Sequence, residues 1–235
     1  MSAILALDTS TPACSVALIQ NGAVLEDFRM APRQHNDLIL PMVDQLLSQA
    51  GLTLSQLDAI AFGRGPGSFT GLRISAGVVQ GLAYGADLPV VPVSTLAAMA
   101  LEAHKSTFHD DWLAALDARM GEIYVGGYHI EKQNDFWVAQ ETFAERVIAP
   151  DNLTAIEQAY QGVGSGWLYQ ERLNEVLPTP AKEVLVDIAP RAACIAELAA
   201  YDFAQGRVVT AEQALPVYLR DEITWEKQPA RIGKR

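Results

Sequence analysis

One pattern occurs twice in this chain of 235 residues, and it limits the fold more than any other feature. "ILALDTSTPACSVALI" is an apolar strand ending at Asp8, a polar turn (Thr9, Ser10, Thr11, Pro12) and a second apolar strand. "WLAALDARMGEIYVGGYHI" repeats that order, with Asp117 at the end of its first strand. Each is followed by a helix-like segment and then by a glycine loop opening onto another helix. In the first half these are 36–50 and "GRGPGSFTGLR"; in the second they are "LTAIEQAY" and "QGVGSGWLYQERL". Strand–Asp–turn–strand, helix, glycine loop, helix, written twice, predicts a duplicated α/β unit. The polar stretch "HKSTFHDD" reads as the linker between the halves, dividing the chain into 1–104 and 105–235.

Finer signals fill in the first half. Asn21-Gly22 predicts a two-residue hairpin turn into a third strand around Val24. Ile39, Met42, Val43, Leu46 and Leu47 recur at helical spacing, with Gly51 placed to cap the helix and Pro41 awkward if deeper than the first turn. A strand over 59–62, a helix over 70–84, the extended run "LPVVPVS" and a helix over 95–104 follow.

Half of the residues are hydrophobic, enough for one large core or two small ones, and the net charge of −11 argues against a general nucleic-acid binder. The opening "MSAILALDTS" has no basic start and meets an Asp too early for a signal peptide. The longest apolar-rich stretch, 74–86, is too short to span a bilayer. Cys14 and Cys194 lie far apart, outside any C-x-x-C spacing and without clustered histidines, which predicts a reduced, cytoplasmic protein with no disulfide framework and no zinc site.

Two arrangements carry chemistry. The loop "GRGPGSFTGLR" follows a short apolar run and precedes a helix, a geometry that presents backbone N–H groups to phosphate. It lacks the Lys of a Walker A loop, and Gly65, Gly67 and Thr70 miss the G-x-G-x-x-G fingerprint by one residue. Asp8 and Asp117 stand where an open sheet places ligand groups, and each is also the residue type that caps its own turn. Asp8, Thr9, Ser10, Gly65, Gly67, Ser68 and Asp117 are therefore the nucleotide or phosphate candidates. The helix 70–84 carries two apolar stripes, Ile74/Val78/Leu82 and Leu72/Ala76/Val79/Ala83, where one would suffice to cover a sheet. With Met42 and Leu46 of the preceding helix, Leu72, Ile74, Val78, Val79 and Leu82 are the expected partner surface. The tail "KQPARIGKR" reads as a solvated end or as a contact with nucleic acid.

"LALDTST", "GPGSFTGLRI", "PVVPVSTL", "LDARMGEIY" and the P-x-YLR of Pro216 to Arg220 together resemble the TsaB (YeaZ) family over essentially the whole chain. The resemblance implies two ribonuclease-H-like lobes of the actin/Hsp70/sugar-kinase type. It implies a non-catalytic partner subunit in making threonylcarbamoyladenosine beside the anticodon of tRNAs. Such a subunit pairs with and supports the transferase TsaD, is joined by the ATPase TsaE, meets tRNA through the complex, and is a homodimer when isolated. ATP and a divalent metal then act in the partner subunits, with no cofactor held by this chain. TsaD's H-x-x-x-H metal pair falls here on Thr95 and Met99, which cannot form that site. The competing reading is a free-standing sugar-kinase-like or ATPase enzyme using Asp8 and Asp117.

Overall fold

The computed structural model describes residues 2–220. Its first sheet is an antiparallel meander of β1 (Ile4–Asp8), β2 (Ala13–Gln20) and β3 (Ala23–Met30), extended in parallel by β4 (Ala59–Gly65) and β5 (Val90–Ser94). The second sheet is an antiparallel meander of β6 (Asp111–Arg119), β7 (Glu122–Gln133) and β8 (Phe136–Ile148), extended in parallel by β9 (Gln161–Val163) and β10 (Val184–Leu185). The orders β3-β2-β1-β4-β5 and β8-β7-β6-β9-β10 are the same order written twice, so the repeat read in the sequence is a repeat of topology.

Among the described residues five α-helices complete the α/β fold: α1 (His35–Ala50), α2 (Phe69–Ala86), α3 (Thr95–Thr107), α4 (Gln170–Val176) and α5 (Ala192–Ala204). Strand alternation decides what each covers. Leu5, Leu7, Val16, Leu18, Ile60 and Phe62 point to one side of the first sheet and meet α1 and α2. Ile4, Ala6, Ala17, Ala59 and Ala61 point to the other side and meet α5. The small side chains here let a helix lie close. α3 packs on β6 and β7 as well as against α5, so these two helices are shared between the sheets in one continuous core. The expected division at 104/105 thus falls inside α3.

Local chemistry explains most boundaries. Asn21 and Gly22 both take positive φ, 53° and 81°, as the hairpin turn requires. Gly51 caps α1 in the left-handed region. Pro41 is the seventh residue of α1 and sits on its exposed side. Two expectations are corrected. His104 to Thr107 finish α3, and only 108–110 link the halves, with Phe108 closing the helix at φ 64°. Residues 153–160 form no helix: Ala155 takes φ 63°, and Leu153 and Tyr160 are drawn singly into the core under the second sheet. There the Tyr160 and Thr142 hydroxyls share a hydrogen bond of 2.8 Å.

Candidate functional site

The β1–β2 turn and the start of α2 meet at the carboxyl ends of β1 and β4, the corner where the phosphate candidates were expected. Asp8 ends β1, and its Oδ1 accepts from the Ser10 N–H at 3.0 Å and from the Ser10 hydroxyl at 2.9 Å. Thr9 Oγ1 donates to the Gly71 carbonyl at 2.7 Å, and the Ser68 N–H donates to the Ser10 carbonyl at 2.7 Å. Ser68 then caps α2 by accepting from the Gly71 N–H at 3.4 Å. The turn and the helix start are therefore laced directly together.

The glycines report how tight that lacing is. A Cβ on Gly67 would stand 2.6 Å from the Ser10 carbonyl oxygen, and one on Gly71 would stand 1.9 Å from that of Thr9. Backbone rests on backbone, and the Ser68 N–H, one of those a phosphate would use, is spent on the Ser10 carbonyl of the neighbouring turn. That close approach narrows the room left for a phosphate group at this corner. The second half closes in the same way. A Cβ on Gly164 would lie 2.4 Å from the Ala115 carbonyl oxygen and 2.1 Å from the Met99 methyl, while Ser165 Oγ accepts from the Asp117 N–H at 3.1 Å.

Asp8 is fully buried, and burial pushes its carboxyl up to about 7 against the opposing pull of Ser10. Its Oδ2 and Thr95 Oγ1 are buried with no hydrogen-bond partner among the described residues, and both face the Cα of Gly63. Met99 is packed in the core, and the described residues hold no cluster of three metal-ligating side chains.

Of the seven phosphate candidates, Ser10, Gly67, Ser68 and Asp117 line a cleft of about 560 Å³ between the halves. Thr9 and Asp8 lie buried beneath it. Gly65 is covered by the segment after α5, since a Cβ there would stand 2.9 Å from the Val217 carbonyl oxygen. Asp117 turns to its own loop, accepting from the Arg119 N–H at 2.9 Å and pairing with the Arg119 guanidinium at 3.3 Å.

The expected partner surface divides. Met42, Leu46, Leu72 and Val79 are core residues, 2% exposed or less, so their assignment to a surface is corrected: Met42, Leu46 and Val79 pack against the first sheet, and Leu72 lies against Gly65 at the end of β4. Ile74, Val78 and Leu82 are half-buried at the edge of that core. Facing outward beside them are Gly77, Gly81 and Gly85, four residues apart, and nothing lies within 4 Å of a Cβ placed on any of them. Glycine costs a helix about 1 kcal/mol relative to alanine, so three on one open face are not explained by the fold of the single chain. No helix among the described residues is long and apolar enough to cross a membrane. The basic end 227–235 lies outside the described residues.

Sequence reasoning missed a buried junction between the halves. Glu145 of β8 accepts from Ser94 Oγ, from the Tyr128 hydroxyl at 2.6 Å and from Arg64 of the glycine loop at 3.0 Å. The signal was faint: an Arg in a loop that offers it no local acid.

Residues 29–220 match the family described as "TsaD: tRNA N6-adenosine threonylcarbamoyltransferase". The Haemophilus influenzae "tRNA threonylcarbamoyladenosine biosynthesis protein TsaB" is 44% identical, across 97% of this chain and 98% of its own length. Its Escherichia coli namesake is 43% identical, across 97% and 99%. Among solved structures, "YeaZ from Pseudomonas aeruginosa" superposes with a TM-score of 0.85 at 44% identity, covering 93% of this chain and all of that one. A second Pseudomonas aeruginosa structure, described as similar to peptidase YeaZ, gives 0.86 at 45% identity, covering 94% and all of that chain. With this identity sustained from end to end, the chain belongs to the TsaB family.

Proposed function

We propose that this chain is a non-catalytic partner subunit in the formation of threonylcarbamoyladenosine on tRNA, pairing with TsaD through the outward face of α2. The closed corner carries the reading: Thr9 and Ser10 rest on the start of α2 where a nucleotide phosphate would have to lie. Beside it, the outward glycines with Ile74, Val78 and Leu82 form a surface that another helix can approach closely. The repeated strand order supports two ribonuclease-H-like lobes of the actin/Hsp70/sugar-kinase type. The names of the relatives support the tRNA pathway. In this reading ATP and a divalent metal act in the partner subunits, TsaE joins the pair, tRNA is met through the assembly, and the work is cytoplasmic. The same helix face serves a homodimer when the chain is alone.

The alternative, a free-standing ATPase or sugar-kinase-like enzyme, asks Asp8 to act from a position with no solvent exposure. Titration calorimetry with TsaD, paired with a turnover assay on the isolated chain in Mg-ATP, separates the two. The proposal expects saturable TsaD binding and no turnover approaching about 1 s⁻¹, the low end of ordinary enzymes. Turnover at that rate, abolished by Asp8→Asn, would reject it.

A further inference from the structure

After α5 the chain returns to the first half. Val209 pairs with Val90, the Ala214 carbonyl accepts from Gln80 of α2 at 3.1 Å, and the Val217 N–H donates to the Arg64 carbonyl at 2.8 Å. Arg220 then reaches the second half and pairs with Glu122. This strap runs along one flank of α2 and leaves a cluster beside the outward glycines. The Arg73 guanidinium lies 3.8 Å over the Phe69 ring and donates through Nε to the Tyr218 hydroxyl at 3.2 Å. The two rings are 5.3 Å apart, and both remain open to solvent, Phe69 at 44% and Tyr218 at 41%.

Nearby arginines are neutralised: Arg64 by Glu145, Arg119 by Asp117 and Arg220 by Glu122. Among the described residues Arg73 meets no carboxylate; only its Nε–H is engaged, by a neutral hydroxyl. Its terminal NH₂ groups form the fork that grips a carboxylate in two bonds, and the stack on Phe69 holds that fork in place. It also sits in the second turn of an 18-residue helix, near the positive end of the dipole. Arginine and tyrosine side chains gathered around an aromatic surface are the residue types that dominate protein interfaces.

We infer that Arg73, braced by Phe69 and by Tyr218 of the strap, anchors the partner subunit by gripping a carboxylate that the partner supplies. This rests on the reading that TsaD docks on α2. A second copy meeting this face helix to helix is the poorer match, because Phe69–Ala86 contains no acidic residue and the copy could offer only the Asp87 that caps its far end. RNA is also a poorer match, since among the described residues the paired arginines around the cluster leave no extended basic field there for a phosphate chain.

The experiment is calorimetric titration of TsaD into the full chain and into Arg73→Glu, Arg73→Lys, Arg73→Leu and Val78→Glu. Arg73 is exposed, so its variants should melt within a few degrees of the parent. Arg73→Glu should weaken TsaD binding at least thirtyfold and Arg73→Lys several-fold. The parent's Kd should rise between 50 and 500 mM salt, while that of Arg73→Leu stays nearly flat. Loss of binding in Val78→Glu with Arg73→Glu within threefold of the parent would overturn the anchor and leave the docking face standing. Normal binding by both would reject the docking face itself. Unchanged TsaD affinity with weakened tRNA binding in Arg73→Glu would assign the guanidinium to RNA and refute the inference.

Discussion

Asp8 shows at the scale of one residue how a corner of this fold became structural. Its Oδ1 holds the turn through Ser10, while its Oδ2 is pressed toward Gly63, where a Cβ would come within 2.0 Å. Burial raises its carboxyl from 3.8 to about 7, so the folded protein binds a proton there that the unfolded chain has released. The neutral form's stabilising contribution is fully present below about pH 4 and is lost as pH rises to about 7. Three pH units of such a shift correspond to about 4 kcal/mol. Asn keeps the acceptor without the charge. Asp8→Asn should therefore gain stability relative to the parent between pH 5 and pH 8, by about 1–3 kcal/mol in urea unfolding. A difference that stays constant with pH would show that Asp8 is not buried as described. Asp8, Ser10, Gly67 and Ser68, grouped from the sequence, do lie side by side. The sequence could not show that Gly71 rests on the Thr9 carbonyl, because close approach of two backbones leaves no mark beyond a glycine that a phosphate loop would also require.

At the scale of elements, α2 was legible in length but not in orientation. Its two apolar stripes have similar composition, and only the packed sheet shows that Leu72, Ala76, Val79 and Ala83 face inward while Val78 sits at the rim. Val78 and Val79 point about 100° apart, and glutamate should separate them. Val79→Glu buries an unpaired charge against β4 and should cost several kcal/mol, seen as a sharply lowered Tm. Val78→Glu should leave the fold largely intact, with self-association lost in sedimentation velocity. The open glycines give the complementary test. Gly81→Ala should stabilise the isolated chain by up to about 1 kcal/mol, raising Tm by a few degrees. The same change should weaken association, because the added methyl stands where the other helix approaches. A Gly81→Ala protein that associates as well as the parent would remove the close-approach argument. Residues 153–160 misled for a related reason: Leu153, Ile156 and Tyr160 have helical spacing, yet each anchors a loop.

Across the whole molecule, the repeat was legible because strand–Asp–turn–strand order survives in the sequence. The joining of the halves was not. It depends on α3 and α5 sharing one core and on contacts between residues far apart in the chain. Glu26 of β3 accepts from Arg191 and from the Ala193 N–H at the start of α5, and Glu145 gathers Arg64, Ser94 and Tyr128. Glu145→Ala strips three donors of one buried acceptor and should cost about 2–4 kcal/mol in chemical unfolding. A change below about 0.5 kcal/mol would mean that the Glu145 junction adds nothing to what the shared apolar core and the Glu26 contacts already supply. In the proposed function the chain supports a reaction without performing it, and reconstitution puts that to the test. Threonylcarbamoyl transfer to tRNA should be measured with TsaD, TsaE and added threonylcarbamoyl-adenylate as donor, in the presence of this chain, in its absence, and with Asp8→Asn in its place. Omission should reduce modification to background, and Asp8→Asn should restore it to within a few-fold of the parent. Full modification without the chain, or a folded Asp8→Asn that binds TsaD yet restores nothing, would contradict the account.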